Sequence, residues 1–403
     1  MNNFKNGLKA KMLPVGLLVA VLLSCHKTKE LSPQELVTQW QESQAAIPDT
    51  YIVKFKAGYL PNGRIISGSY ETQVDDIENF AGAFLKNNGV DDSEIMQTYV
   101  GNYIGFSATM QKYQAEKLRQ DANIEFVVQD KVFTLANMDV TIAATTSTNT
   151  QSTSWGVTRV GGALDATGKV VYIVDTGVSM GHPDLNVKID LCKSFVANEK
   201  TAEDGNGHGT HVAGIIAAKS NSIGVIGVAA NATIVAVKVL SKSGVGTDSG
   251  VVAGLNYVGT IAKPGEVVNL SLGTSISIAL DAAVRALAQK GIRVVMAAGN
   301  SANAATNNSP GRCDGTNLYT VSAIDKNDKM ASFSSYGNPP IDYAEPGVSI
   351  LSCYKNGTYA TLSGTSMAAP HLAGLLVVTN GAIKNGGSVS ADKDSSPDII
   401  GKR

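Results

Sequence analysis

The chain has 403 residues, 43% hydrophobic and 17% charged, a composition that builds a large core and excludes a disordered polyelectrolyte. A formal net charge of −1 gives no electrostatic case for nucleic acid as a partner. The length allows two or three domains, and no internal repeat divides it.

Lys5, Lys9 and Lys11 precede an apolar run from Met12 to Leu23, and Ser24 and Cys25 follow. A basic start, a short apolar run and small residues make a signal-peptide pattern over 1–24, too short to cross a bilayer as a mature helix. Residues 25–48 are polar and read as a tether. From Asp49 the pattern changes to a small α+β module over 49–136. Strands are expected at Thr50–Lys56, Gly105–Thr109 and Ile124–Asp130, with helices at Ile77–Asn87 and Gln114–Asp121. The first strand alternates as a half-buried one does. Residues 137–154, rich in Thr, Ser, Ala and Asn, read as a linker open to proteolysis.

Residues 155–403 alternate strands and helices, which predicts an α/β fold with a mostly parallel, doubly wound sheet covered on both faces. The expected strands are Lys169–Val174, Thr233–Leu240, Val267–Leu272, Ile292–Ala297 and Leu318–Ala323, and the helices Asp248–Ile261 and Ile278–Lys290. Ligands of such sheets sit beyond the carboxyl ends of the strands.

Four stretches fall at those ends or at helix starts. Val170-Val-Tyr-Ile-Val-Asp-Thr-Gly177 ends an apolar strand in Asp175, which reads as a turn-former or as a buried carboxylate in need of a partner. Asp204-Gly-Asn-Gly-His-Gly-Thr-His-Val-Ala-Gly214 puts His208 between glycines that leave room beside the ring. His208 and His211 are three apart and could share a metal, but no Glu lies between them as in a zinc-protease helix; His211, His182 and His371 read as packed histidines. Val294-Val-Met-Ala-Ala-Gly-Asn300 ends a strand in an amide that could donate a hydrogen bond. Ser363-Gly-Thr-Ser-Met-Ala-Ala-Pro-His-Leu-Ala-Gly374 sets Ser366 at the head of an apolar, buried helix whose start Pro370 places close by, so the serine is a helix cap or a nucleophile. An acid, an imidazole, a hydroxyl and an amide donor are the set that acyl transfer needs.

Through these four motifs, in this order, residues 155–379 resemble the subtilisin-like serine peptidases, most closely the proteinase K branch. The resemblance implies Asp175 as orienting acid, His208 as general base, Ser366 as nucleophile, and Asn300 with the Ser366 N–H as oxyanion donors. Ser271-Leu272-Gly273 and Ala297-Ala298-Gly299 would form the two walls of the pocket for the side chain before the cut bond, with a broad preference for apolar residues. Polypeptides are the implied substrates, and no cofactor is required for catalysis. The module at 49–136 resembles the inhibitory propeptide of this family (inhibitor I9-like), which implies a precursor inhibited by its own propeptide and self-cleavage within 137–154. Leu22-Leu-Ser-Cys25 resembles the bacterial lipobox, which implies lipidation of Cys25, a membrane anchor on the propeptide side of the cut, and an exported protein of the cell envelope or, after processing, the exterior.

Family members often hold structural calcium, and Asp342 is the carboxylate that fits the resemblance. Cys192, Cys313 and Cys353 allow one disulfide with one free thiol. After Ser366 no clear final strand appears, and Ser388–Arg403 reads as a loose polar tail. Two rivals stand beside the serine peptidase: a zinc hydrolase using His208 and His211, and a surface binding protein on an inactive peptidase scaffold.

Overall fold

Successive side chains of an extended strand face opposite ways. In Ala46–Phe55 both faces are buried: Tyr51, Val53 and Phe55 join one apolar cluster and Ile52 another. The computed structural model describes residues 46–59, 67–135, 140–142 and 150–403. The signal segment 1–24, Cys25 with its lipobox, the tether to residue 45, and 137–139 and 143–149 of the linker lie outside the described residues. Ala46–Phe55 is central in an antiparallel sheet, between Ile124–Thr134 and Gly105–Thr109, with Ile95–Tyr99 beyond. Helices Tyr70–Asn87 and Lys112–Leu118 cover one face through Ala81, Phe84, Leu85, Ala115 and Leu118. The opposite face, with Ile52 and Tyr99, packs into the apolar cluster of helices Asp248–Ile261 and Ile278–Gln289. The strand expected to be half-buried is therefore covered twice, because the larger domain supplies the second cover. The first helix starts seven positions before Ile77, at Tyr70, where Ser69 accepts the Thr72 N–H and caps it.

The larger domain is built on a nine-stranded sheet among the described residues. Its order is Lys384–Ser388, Ile399–Lys402, Ile341–Pro346, Leu318–Ile324, Arg293–Ala297, Val267–Leu270, Val170–Asp175, Thr233–Lys238 and Lys193–Ser194. All neighbours run parallel except the first pair. Alternation again assigns the faces. Val171, Ile173, Ile234 and Ala236 meet the buried helices His208–Ala217 and Thr365–Thr379, whereas Tyr172, Val174, Val235 and Val237 meet Asp248–Ile261 and Ile278–Gln289. The doubly wound α/β fold is thus as expected, with strand limits moved by one or two residues.

The C-terminus corrects the expectation of a loose tail. Ile399–Lys402 enters the sheet beside Ile341–Pro346, with Ile400 fully buried. The polar stretch before it is tied by its own side chains: Asp392 accepts the Lys393 and Asp398 N–H groups, and buried Asp398 takes the Ser322 hydroxyl at 2.5 Å. A four-residue strand with two isoleucines is too short for its alternation to stand out from a polar run. Cys192, Cys313 and Cys353 are all free thiols, so the disulfide that their number allowed is not formed among the described residues.

Candidate active site

Asp175 ends its strand with a fully buried carboxylate. Its Oδ1 accepts the Thr176 N–H at 2.6 Å and His208 Nδ1 at 2.7 Å. A carboxylate only accepts, so Nδ1 carries a proton, and in the neutral ring Nε2 presents a lone pair. That Nε2 is buried and has no hydrogen-bond partner. Burial pushes the His208 pKa down, but the charge and hydrogen bond of Asp175 outweigh it, and Asp204 adds to them, so the net shift is upward. His208 opens helix His208–Ala217, and the glycines beside it serve close packing rather than room for the ring. At Gly207, φ is +113° and a Cβ would come 2.3 Å from the Tyr354 ring; at Gly209 a Cβ would come 2.1 Å from the Gly177 carbonyl.

Ser366 lies in the first turn of Thr365–Thr379, after Gly364 at φ +156°. It does not cap the helix; its Oγ donates to the Ser271 carbonyl at 3.0 Å, and the Ser271 hydroxyl donates to the Ser366 carbonyl at 2.7 Å. Asn300 Oδ1 accepts the Thr365 N–H at 2.8 Å and the Thr365 hydroxyl at 2.9 Å, which orients the amide so that Nδ2 is left to donate. A Cβ at Gly364 would sit 3.3 Å from that Nδ2, so glycine keeps its approach open. Helix-start N–H groups, including that of Ser366, have no partner in the helix. Ser271-Leu272-Gly273 and Ala297-Ala298-Gly299 lie at the carboxyl ends of adjacent strands paired Leu270 to Met296. Ser271, Leu272, Ala297 and Ala298 are buried, and Thr365 Oγ1 accepts the Gly299 N–H at 3.2 Å. The structure thus joins Asp175 to His208 directly, and Ser366 to Asn300 through Thr365.

Residues 166–393 match the model of the subtilase family, more than half of the chain, and 50–136 match that of peptidase inhibitor I9. The chain belongs to the subtilase family. It is 47% identical to an alkaline protease of Alkalihalobacillus alcalophilus over 57% of this chain, and spans only 60% of that relative's length. It is 47% identical to subtilisin Savinase of Lederbergia lenta, over 56% of this chain and 82% of that one. Alkaline serine protease ver112 of Corniculantispora psalliotae is 36% identical over 81% of this chain and 83% of its own. The crystal structure of a cold adapted subtilisin-like serine proteinase superposes with a TM-score of 0.54 at 34% identity, covering 61% of this chain and 96% of that one.

In this subtilase His182, His211 and His371 are packed histidines, as expected. His211 Nε2 lies 3.0 Å from both the Ile350 and Ala360 carbonyls, His371 Nδ1 2.8 Å from Met367 O, and His182 Nε2 3.1 Å from Thr358 O. Carbonyls only accept, so each of these nitrogens holds a proton. Burial pushes the His211 pKa down to about 3. A zinc site at His208 and His211 would need a third protein ligand, and no group of three or more His, Cys, Asp or Glu side chains that could hold a metal ion occurs among the described residues.

Two supporting residues escaped the sequence reading. Asp204 Oδ1 accepts the Thr176 hydroxyl and the Asn206 and Gly207 N–H groups, each at 2.9 Å, while Oδ2 accepts the Thr210 N–H at 2.9 Å and hydroxyl at 2.6 Å. It ties the turn after Asp175 to the helix of His208. Lys238, fully buried beside Asp175 in the sheet, donates to Thr176 O at 2.6 Å and Leu240 O at 2.8 Å and meets Glu199 at 3.0 Å. A lysine closing the run Thr-Ile-Val-Ala-Val was the available signal, since a buried ammonium must be paired.

For calcium, Asp342 is a poor fit: its Oδ2 is taken by the Thr320 N–H at 2.8 Å, and burial pushes its pKa up to about 6. Oxygens gather elsewhere. Gln151 Nε2 has Lys219 O at 2.7 Å, Asn221 Oδ1 and Val225 O each at 3.1 Å, and Ile223 O at 3.4 Å around it. Asp184 joins them, its Oδ1 accepting from Asn221 Nδ2 at 2.8 Å. An amide nitrogen has two N–H groups, so these acceptors outnumber the donors. Turning the Gln151 amide would add a further oxygen and make a set of the number and kind that calcium takes.

Proposed function

We propose that this chain is a serine endopeptidase made as a precursor inhibited by its own residues 49–136, with 155–403 as the peptidase domain. The observation that carries the reading is the buried His208 held by Asp175 with its Nε2 lone pair unspent, in the same domain as a serine at a helix start. In this reading the Ser366 hydroxyl leaves Ser271 O and donates to the unpartnered His208 Nε2. Oγ then attacks the substrate carbonyl carbon as Nε2 takes the proton, and Asn300 Nδ2 and the Ser366 N–H receive the oxyanion. The C–N bond breaks as Nε2 returns the proton to the leaving amine, and water, activated by the same imidazole, hydrolyses the acyl-enzyme. Asp175 orients and stabilises the imidazolium without taking the proton.

Substrate pairing is supported by the chain's own segment. Val132–Thr134 pairs antiparallel with Val245–Thr247, and the Leu135 N–H donates to Gly244 O at 2.9 Å. Past the cut, Thr141 and Ile142 pair with Thr361 and Ala360, in the strand that leads to Ser366. We read the two pairings as support for self-cleavage near the start of the linker, between Leu135 and Val140. An extended polypeptide with small or apolar residues before the cut fits walls at 271–273 and 297–299 in which Ser271, Leu272, Ala297 and Ala298 are buried.

The finer points are proposed on the motifs alone: a proteinase K-like branch, export by the signal segment, and a lipid on Cys25 that processing leaves with the propeptide. A calcium ion held by Asp184, Asn221, Gln151 and the 219, 223 and 225 carbonyls would tie the start of the peptidase domain to the 219–225 loop and take no part in the chemistry. The test of the main reading is a serine-directed fluorophosphonate on the processed protein. Labelling of Ser366 with loss of activity, and no loss on chelation at room temperature, supports it; activity surviving full labelling contradicts it.

A further inference from the structure

Pro370 lies in the second turn of helix Thr365–Thr379. Proline has no N–H, so the carbonyl four residues earlier, that of Ser366, is left without its helical partner. The Ser271 hydroxyl fills that place at 2.7 Å, and is itself held by Asn269 Nδ2 at 2.8 Å. The Ser271 carbonyl meets the Ser366 hydroxyl at 3.0 Å, so one residue grips the serine at both ends. Ser271 and Asn269 are fully buried, and Asn269 belongs to the strand Val267–Leu270, which neighbours Val170–Asp175 in the sheet.

We infer that Ser271 is a positioning residue for the nucleophile: its hydroxyl replaces the N–H that Pro370 lacks and fixes the Ser366 peptide to the strand beside the one that carries Asp175. A helix start pinned only by its own next turn would move with the helix. Pinned by Ser271, it moves with the sheet, and the Ser366 Oγ and N–H keep their setting relative to Asp175 and His208. Misplacement by about 1 Å can cost on the order of 100-fold in rate, so the grip matters to turnover. The inference rests on the peptidase reading above.

The test is a double-mutant cycle in the full chain with Ser271→Ala and Pro370→Ala. Residue 370 then regains an N–H that can bond to Ser366 O and make the Ser271 hydroxyl redundant. Active sites are titrated with a fluorophosphonate, so that kcat refers to folded enzyme, and kcat and KM are measured on a peptide substrate. In the native background Ser271→Ala is expected to lower kcat by roughly 10- to 100-fold with KM within about threefold. In the Pro370→Ala background the same change is expected to cost less than about fivefold. Equal factors in both backgrounds, or a raised KM with kcat kept, would overturn the inference. Should Ser271→Ala fail to fold, Ser271→Cys, a near-isosteric but weak donor, replaces it in the same cycle, with a loss of kcat in the native background that shrinks in the Pro370→Ala background; equal factors in both would overturn the inference. Failure of the parent chain to titrate at Ser366 would instead remove the peptidase reading itself.

Discussion

Asp204→Asn probes the frame that holds the His208 pair. The carboxylate accepts five hydrogen bonds, three from backbone N–H groups and two from hydroxyls. An asparagine must turn its NH2 toward one set of donors. Facing the Thr210 side is the cheaper choice, because the Thr210 hydroxyl can rotate to accept while only the Thr210 N–H is left opposed. Hydrogen bonds to a charged group contribute about 1.5–3 kcal/mol each. One lost outright and the others weakened by removal of the charge give an expected loss of about 2–4 kcal/mol. The substitution also removes a charge that raises the His208 pKa, so the acid limb of kcat/KM should move to lower pH. Stability is read by urea unfolding in a Ser366→Ala background, where self-digestion cannot interfere, and the limb from pH profiles of the active chain. A loss below about 1 kcal/mol with an unmoved limb would refute the reasoning.

Three further outcomes are expected. Burial pushes the His371 pKa down to about 4; a histidine depressed in the folded state gives stability that is full above its unfolded value of about 6.5 and lost as pH falls toward the folded one. His371→Asn should therefore flatten the acid side of the urea-stability curve by about 1.4 kcal/mol per pH unit between pH 6 and 4.5, and an unchanged slope would count against it. Asp248 has its pKa pushed up to about 7 by burial and by the charge of Asp130, relieved in part by Ser277. Asp130, from the inhibitory module, takes the Ser249 N–H at 3.0 Å and hydroxyl at 2.5 Å. The docked state favours the protonated form, so retention of the cut module in gel filtration should weaken as pH rises toward 7, by up to tenfold per unit; burial raises the Asp130 carboxyl as well, so Asp248→Asn should reduce the dependence without abolishing it, and an unchanged dependence would count against the reasoning. A chelator should lower the melting temperature of the parent but not of Asp184→Ala, whose own melting temperature is already reduced; equal chelator effects in both would remove the calcium proposal.

The five central strands of the sheet were legible because they carry apolar, β-branched runs that need no context, whereas Lys193–Ser194, Ile341–Pro346, Lys384–Ser388 and Ile399–Lys402 were not; Asp248–Ile261 appeared with its limits as expected. Gly-flanked His208 and Ser366 stood out for the same local reason. What stayed hidden depends on partners distant in sequence. The second burial of Ala46–Phe55 needs the larger domain, and Ser271 reads as a pocket wall until Pro370 is seen to leave a carbonyl open across the fold. Asp204 lay inside a quoted motif, yet nothing local shows that its two oxygens receive five donors. Asp342 looked like a calcium ligand by position, whereas the surplus of oxygens around Gln151 comes mostly from backbone carbonyls, which no residue type announces.

The central claim is that Ser366, activated by His208 and Asp175, cuts peptide bonds, beginning with this chain's own. Intact-mass measurement of the full chain beside its Ser366→Ala counterpart tests it most directly. The account predicts two fragments from the parent, with a new N-terminus between residues 136 and 140, and an uncut Ser366→Ala chain. Two uncut chains, or the same cut in both, would contradict it.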